Sequence, residues 1–358
     1  MKKRIFLYAL PFLALAFTSC KEDEQQKEKP VPEADYDVWV VNEGAFNRNN
    51  ASITAYCTSD GSLSADYFSA KNGRGLGDVA NDILIYGSKA YVVVNVSSTV
   101  EILSVKTGKS LQQISMIHNG TPRQPRRVCT GNGKVYVCCF DGSVHRIDTA
   151  TLSIDASGTA GSNPDGICYS NGKIYVSNSG GLNYPNYDST VSVLDAQTLA
   201  LEKTLNVRIN PTRCLSDSYG HVWVLSPGNY DNIPACIQCI DAQKDTVVRT
   251  FEEAEANDFT IGPNALYLLC VHFAKGGGNK AVCKSITTSG LQEAGILFEK
   301  SGMQTPYGIS MQESNGYIWI TDAFNYSSNG DVYAFDETGV QKHKFEAGTC
   351  PKRAVFLK

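Results

Sequence analysis

The feature that most constrains the fold of this chain is a sevenfold internal repeat. A turn followed by an apolar run recurs, for example as GNGKVYVCC at 131–139 and SNGKIYVSN at 170–178. One position of the run is always aromatic, and all three tryptophans of the chain fall there. The repeat length is roughly 45 residues, the spacing of four-stranded propeller blades. The seven aromatic residues are Trp39, Tyr91, Tyr136, Tyr175, Trp223, Tyr267 and Trp319.

The two ends of the chain indicate how the repeats form a closed ring. Each copy has a short strand upstream of the aromatic run and two strands downstream, but the first copy lacks the upstream strand. The chain ends with PKRAVFL at 351–357, an upstream strand with nothing after it. Closure would remove the free edges of an open sheet. The sequence therefore predicts an all-β, seven-bladed β-propeller of four-stranded blades, closed by the C-terminal strand joining the first blade. The repeated aromatic residues are predicted to pack between blades.

The N-terminus has the pattern of a bacterial lipoprotein signal. A basic start and an apolar segment too short to span a membrane lead to Phe17-Thr18-Ser19-Cys20. We expect a signal peptide at 1–19, a lipidated Cys20 with a polar tether at 20–34, and the propeller at 35–358. The acidic cluster KEDE at 21–24 resembles the surface-export signal of Bacteroidetes lipoproteins, and it also suits a solvated tether. The expected location is the outer membrane, lipid-anchored and exposed at the cell surface; an ordinary secretory peptide is the alternative.

Charge and cysteine content exclude some classes of function. The formal net charge is −4, which leaves no basic surplus for binding nucleic acid. Without Cys20 the chain has eleven cysteines, an odd number that cannot all pair. Most of them lie in apolar runs, as buried free cysteines do. Cys236 and Cys239 are three apart in a predicted strand and would point to opposite faces, so we predict no metal site there.

Long polar loops with aromatic residues follow several of the apolar runs. Examples are SGGLNYPNYDS at 179–189, SPGNYDNIPA at 226–235 and AFNYSSN at 323–329. In a propeller these loops and the links between blades lie on one rim, and tyrosine with asparagine is typical of binding surfaces. Some of these rings could instead fold back onto their own blades. The aromatic residues predicted to converge on this rim are Phe46, Tyr184, Tyr187, Tyr230, Phe273, Tyr307, Phe324 and Tyr326.

From this rim we select the candidate ligand-binding residues. They are Phe46, Asn47, Arg48, Arg74, Arg123, Arg126, Tyr184, Tyr187, Arg213, Asn229, Tyr230, Tyr307, Phe324, Asn325 and Tyr326.

Catalysis is not predicted. A lactonase-like metal site is conceivable, because carboxylate and amide oxygens suit a hard cation, but such residues are also ordinary turn formers. The five histidines fall in different repeats and form no nucleophile–base order. We expect no catalytic residue, no resident metal and no cofactor. The metal-site candidates are Glu43, Asn95, Asn178 and Asp322.

Two segments resemble a known family. VNEGAFNRNNASITAY from Val41 and NGRGLGDVANDILIYGSKAYVVVNVSSTVEI from Asn72 resemble the YncE-like propeller lipoproteins of gut Bacteroidetes, in particular the cobalamin-capturing BtuG family. The resemblance spans 35–358. It implies a propeller that binds cobalamin (vitamin B12) or related corrinoids and delivers them to a TonB-dependent outer-membrane vitamin B12 transporter. The rim residues are compatible with such a ligand, since arginine suits phosphate and rings suit a flat face. A surface glycan- or protein-binding propeller is the alternative.

Overall fold

The apolar runs of the repeat form the second strands of four-stranded antiparallel sheets. The computed structural model describes residues 36–252, 254–273 and 279–357, and within these ranges it contains seven such sheets, the blades of a propeller. The predicted signal peptide, Cys20 and tether lie outside the described residues. Each blade runs from an inner strand at the central channel to an outer strand at the circumference. Blade 1 is completed by the C-terminal strand, so the predicted fold class and ring closure are confirmed.

The first four blades follow one another along the chain, and each has four strands, named below from the inner to the outer one. Blade 1 comprises Pro351–Phe356, Val38–Asn42, Ser52–Tyr56 and Leu63–Ser64. Blade 2 comprises Ala80–Tyr86, Lys89–Val94, Thr99–Ser104 and Ser110–Ser115. Blade 3 comprises Pro125–Gly131, Lys134–Cys139, Ser143–Asp148 and Ser153–Thr159. Blade 4 comprises Pro164–Ser170, Lys173–Asn178, Thr190–Asp195 and Leu201–Asn206.

The remaining three blades repeat the pattern. Blade 5 comprises Arg213–Ser216, His221–Ser226, Cys236–Asp241 and Thr246–Phe251. Blade 6 comprises Ala256–Ile261, Ala265–His272, Asn279–Thr287 and Gln292–Met303. Blade 7 comprises Pro306–Gln312, Tyr317–Asp322, Asn329–Phe335 and Gln341–Thr349.

Two short elements lie in the links between blades. The helix Tyr67–Asn72 lies between blades 1 and 2, where the carboxylate of Asp66 accepts a hydrogen bond from the backbone N–H of Ser69 and caps the first turn. A small hairpin of Ile117–His118 and Thr121–Pro122 lies between blades 2 and 3. In the described part of the chain, no helix is long and apolar enough to cross a membrane.

The repeated aromatic residues pack between neighbouring blades. Six of the seven are buried, and Tyr267 is partly buried. Trp39 illustrates the packing, because its ring lies in one apolar cluster with Ile83 and Val92 of blade 2. Loss of such a buried ring costs about 3–5 kcal/mol of folding free energy. The prediction that these residues pack between blades is confirmed.

The two ends of the propeller differ. One end, called the long-loop face, carries the loops between second and third strands and the links between blades. The opposite end, the tight-turn face, carries the turns between inner and second strands and between third and outer strands. Asn171 and Gly172 illustrate these short turns, with left-handed backbone at both positions. The aromatic loops noted in the sequence all lie on the long-loop face, as predicted.

Candidate functional site

An open pocket of about 400 Å³ lies on the long-loop face between blades 5, 6, 7 and 1. Its walls are aromatic, and Lys352 from the inner strand of blade 1 lies at its edge. The exposed fractions of the Tyr230 and Phe273 side chains are 72% and 78%. The lining residues are Pro227, Tyr230, Ala235, Glu255, Ala256, Asn257, Val271, Phe273, Thr305, Pro306, Tyr307, Tyr326 and Lys352.

The recurring Asn-Tyr pair projects its tyrosine by a local mechanism. The side-chain oxygen of Asn325 accepts hydrogen bonds from the backbone N–H groups of Ser327 (3.0 Å) and Ser328 (2.9 Å). Tyr326, inside this turn, has φ 62°, a left-handed conformation that is rare for a bulky residue. Asn229 and Tyr230 repeat the arrangement, with φ 59° at Tyr230. The asparagine therefore stabilises a turn that sets the direction of the following ring: Tyr230 contacts Tyr187 of blade 4, and Tyr326 contacts Tyr307 of its own blade.

The pocket is continuous with a row of tyrosine rings from blades 4 and 5. The rings of Tyr184 and Tyr187 are edge-to-face with centroids 6.0 Å apart, and those of Tyr187 and Tyr230 are 6.2 Å apart. Across the pocket, Tyr307 and Tyr326 make a further edge-to-face pair at 5.5 Å. Such pairs hold rings in fixed mutual orientations. The sequence prediction that these tyrosines converge on one face is confirmed in position.

A chain of hydrogen bonds crosses the mouth of the channel beside the pocket. The Tyr307 hydroxyl donates to Glu43 Oε2 (2.6 Å), and Glu43 Oε1 accepts from Asn81 Nδ2 (3.1 Å). Asn81 Oδ1 accepts from Arg126 Nη1 (3.0 Å), whose Nε donates to Asp165 (2.9 Å). Burial and the charge of Glu43 raise the pKa of Tyr307 well above its usual value. The groups at the mouth therefore hold one another in place.

β-Bulges explain why these side chains reach the mouth. In blades 1, 2, 3, 4, 6 and 7 the pairing between inner and second strand shifts after the first residue of the inner strand. The residue that follows is left outside the ladder, and such bulges redirect a side chain. The six bulged residues are Lys352, Asn81, Arg126, Asp165, Asn257 and Tyr307.

Lys352 links the pocket to the channel. Its ammonium group donates to the backbone oxygen of Tyr307 (3.2 Å) and lies 3.8 Å from the centroid of the Tyr307 ring. Burial lowers the pKa of Lys352, and the cations Arg127 and Arg213 act in the same direction. Sequence reasoning missed both Lys352 and Asn257. Aligning the inner strands at their first residue would have placed them beside Arg126.

Several predicted arginines do not project from the rim. Arg213 is wrong as a rim residue, because it is buried one position deeper in the channel and paired with Asp258. The Arg74 guanidinium binds buried Glu101 (2.9 Å) and lies against the Phe68 ring. Arg123 donates to His145 Nε2 (3.1 Å) and lies 3.7 Å from Asp141. The guanidinium groups of Arg74 and Arg123 are held by these partners, and the Arg74 side chain remains 41% exposed.

The other predicted residues have three different placements. The side-chain oxygens of Asn229 and Asn325 accept hydrogen bonds within their own loops, and their assignment as contacts for a ligand stays a prediction. Phe46, Asn47 and Arg48 are exposed on the loop of blade 1, outside the lining of the pocket. Phe324 is half-buried, and its carbonyl oxygen accepts from the Thr305 hydroxyl.

The candidate metal ligands do not form a metal site. Asn178 binds Thr190, Ser192 and the N–H of Gly161. Asp322 accepts from the backbone N–H groups of residues 304, 305 and 324, and Asn95 donates to a backbone oxygen in blade 3. Among the described residues no group of three or more histidine, cysteine, aspartate or glutamate side chains could hold a metal ion. This includes Cys236 and Cys239, which are free thiols.

Two solved structures with a similar fold come from distant proteins. A quinonprotein alcohol dehydrogenase-like protein from Bacteroides thetaiotaomicron VPI-5482 aligns with a TM-score of 0.63 and 17% identity, covering 90% of this chain and 78% of that one. Hydrazine synthase from Kuenenia stuttgartiensis aligns with a TM-score of 0.58 and 16% identity, covering 70% of this chain and 74% of that one. At these identities the likeness concerns the fold alone.

The sequence itself places the chain in a family. No curated protein matches it. The family model described as "Domain of unknown function (DUF5074)" matches residues 36–250, which run from blade 1 into the outer strand of blade 5. This match covers more than half of the chain. The protein is therefore a seven-bladed β-propeller that belongs to the DUF5074 family.

Proposed function

We propose that this protein is a non-enzymatic lipoprotein of the cell surface that binds a corrinoid on its long-loop face. It would pass the ligand to a TonB-dependent outer-membrane transporter. The observation that carries the binding function is the aromatic pocket between blades 5, 6, 7 and 1. Large exposed rings on rigid turns are costly to maintain without a ligand, since Tyr230 and Tyr326 both have left-handed backbone.

The shape and chemistry of the face support a broad, flat ligand rather than a small one. The pocket is open, and the row formed by Tyr184, Tyr187 and Tyr230 extends from it across blades 4 and 5. A disc wider than the pocket could insert one edge and rest its face on this row. Amide groups on its fringe would find hydroxyl and amide partners on the rim. The choice of a corrinoid and of transfer to a transporter rests on the sequence resemblance.

Calorimetric titration with cyanocobalamin tests the proposal. We expect saturable binding, weakened about 30-fold or more by Tyr230→Ala or Tyr326→Ala, because buried aromatic anchors contribute most of a binding energy. Tyr219→Ala is the matched control, since Tyr219 is 51% exposed in a turn of the tight-turn face. Absence of binding to the wild-type protein would overturn the corrinoid assignment. A clean hit on a glycan array would then favour the alternative ligand, because aromatic rings and amides also suit sugars.

The predicted anchor can be tested separately. Thioether-linked lipid on Cys20 would hold the protein in the outer membrane. Cys20→Ala should therefore release the protein from the membrane fraction, while external protease or antibody should reach the wild-type protein on intact cells. Membrane retention of the variant would argue against lipidation at this residue. Protection of the wild-type protein on intact cells would argue against surface display.

A further inference from the structure

A second cavity, of about 140 Å³, lies inside the channel below the mouth. It is lined by three arginines from three different blades: Arg127 of blade 3, Arg213 of blade 5 and Arg353 of blade 1. Arg127 and Arg353 directly follow the bulged residues of their inner strands. Arg213 directly follows Thr212, which occupies the equivalent position in blade 5. Blade 4 has Gly166 at the corresponding register position and so adds no side chain there.

Two carboxylates face these three cations, and both are already engaged. Asp82 pairs with Arg353 (2.6 Å) and accepts from the N–H of Val128 (3.2 Å). Asp258 pairs with Arg213 and accepts backbone N–H groups at 2.9 and 3.3 Å. Three positive charges against two negative ones leave an excess of one, and this excess remains when Lys352 and Arg126 are counted together with Glu43 and Asp165.

Of the three arginines, Arg127 has the longest contact to a carboxylate. Its closest carboxylate atom is Asp82 Oδ1, at 4.0 Å, and its Nη1 donates to the backbone oxygen of Asn81 (3.3 Å). Within the described residues its buried Nε has no hydrogen-bond partner. Against the effect of burial, the surrounding carboxylates raise the pKa of Arg127 and keep it charged, but they leave this buried donor unsatisfied, which is unfavourable. A water molecule could satisfy the donor but would leave the charge unbalanced.

We propose that the channel cavity binds a small inorganic oxyanion of the phosphate or sulfate type, held by Arg127 and shared with Arg213 and Arg353. The planar guanidinium fork matches the oxygens of such an ion better than a spherical halide. The cavity accommodates one small ion with a few water molecules. This site is separate from the aromatic pocket and does not depend on the corrinoid proposal.

Thermal unfolding of the full chain with increasing inorganic phosphate, at constant ionic strength, tests the site. An ion that binds only the folded state raises Tm with saturation, whereas general stabilisation by phosphate grows without saturating. We expect a saturating rise for the wild type and at least tenfold weaker phosphate dependence for Arg127→Gln. Arg249→Gln, on the exposed outer strand of blade 5, is the matched control and should behave as the wild type.

A second measurement needs no variant. Crystals of the wild-type protein soaked in selenate should give an anomalous peak between Arg127, Arg213 and Arg353. An empty cavity in selenate would overturn the proposal, as would identical phosphate curves for the wild type and Arg127→Gln. A bromide peak without a selenate peak would overturn the assignment to an oxyanion.

Discussion

His145 is a buried residue whose protonation should affect stability. Its ring contacts the hydroxyls of Ser157 (2.8 Å) and Ser143 (2.9 Å) and accepts from Arg123. Burial, followed by the charge of Arg123, lowers its pKa to about 4. In the unfolded chain histidine titrates near 6.5, so the unfolded state binds more protons between these two values. Stability is therefore lost as the pH falls through this window, by about 2 kcal/mol between pH 7 and 5.

The variant His145→Gln tests this linkage. Glutamine can hydrogen-bond with its neighbours but cannot be protonated, so the loss of stability between pH 7 and 5 should shrink by about 2 kcal/mol relative to the wild type. Urea unfolding at pH 7 and pH 5 measures this change in the free energy of unfolding. His118→Gln is the control, because His118 is exposed, and it should keep the pH dependence of the wild type. An unchanged pH dependence in His145→Gln would contradict the low pKa.

The arginines show how far single residues could be predicted. Arg126 and Arg213 both follow a proline-led link, and both were assigned to the rim. Arg126 occupies the bulged position and reaches the mouth, whereas Arg213 is one residue further along and points into the channel. Counting from the proline shows this difference in the sequence: Arg126 is the second residue of PRR at 125–127, whereas Arg213 is the third residue of PTR at 211–213. The partners that hold Arg213, Arg74 and Arg123 are distant in sequence, so only the fold reveals them.

At the scale of elements, the C-terminal strand is the closure of the ring. Pro351–Phe356 pairs with Val38–Asn42 and supplies Lys352 to the pocket and Arg353 to Asp82. Without it, the second strand of blade 1 becomes an open edge and Asp82 loses its closest cation. A chain ending at residue 350 should therefore lose its cooperative unfolding transition and aggregate.

Calorimetric unfolding and size-exclusion chromatography check this expectation. A chain lacking only Lys358 keeps the whole strand and is the control. A truncated chain that stays monomeric and unfolds at the wild-type Tm would show that closure by this strand contributes little to stability.

Elements with a strong repeat were predictable, and isolated ones were not. The blades and their closure follow from a pattern that recurs seven times, because each copy must bury the same faces. The helix Tyr67–Asn72 occurs once and has six residues, too few for a helical period to be visible. The bulges also escaped prediction, since an extra residue in a strand leaves the hydrophobic pattern of the other strands unchanged.

At the scale of the whole molecule, the candidate binding residues and the buried apolar residues lie in different regions. The aromatic loops and the bulged residues lie toward the long-loop face, whereas nine of the eleven cysteines in the described residues lie in strands of the blades. Ten of the eleven cysteines in the described residues are buried, Cys129 is partly exposed, and all are free thiols. Burial raises the pKa of Cys139 to about 12 and that of Cys236 to about 11.

These thiols should report global opening of the ring. The thiolate is the reactive form, so raised pKa values and burial both slow reaction with a disulfide reagent such as DTNB. In the native chain beginning at Asp35, all eleven should therefore react slowly. Cys129 is partly exposed and should react first, although burial raises its pKa as well, and Cys129→Ser should remove this earliest phase. In denaturant without reductant all eleven should react.

Because neighbouring blades share their apolar clusters, the buried thiols should become reactive together over one narrow range of urea concentration. Nine or fewer reactive thiols in denaturant would reveal a disulfide, and exposure in separate steps would show that blades open independently.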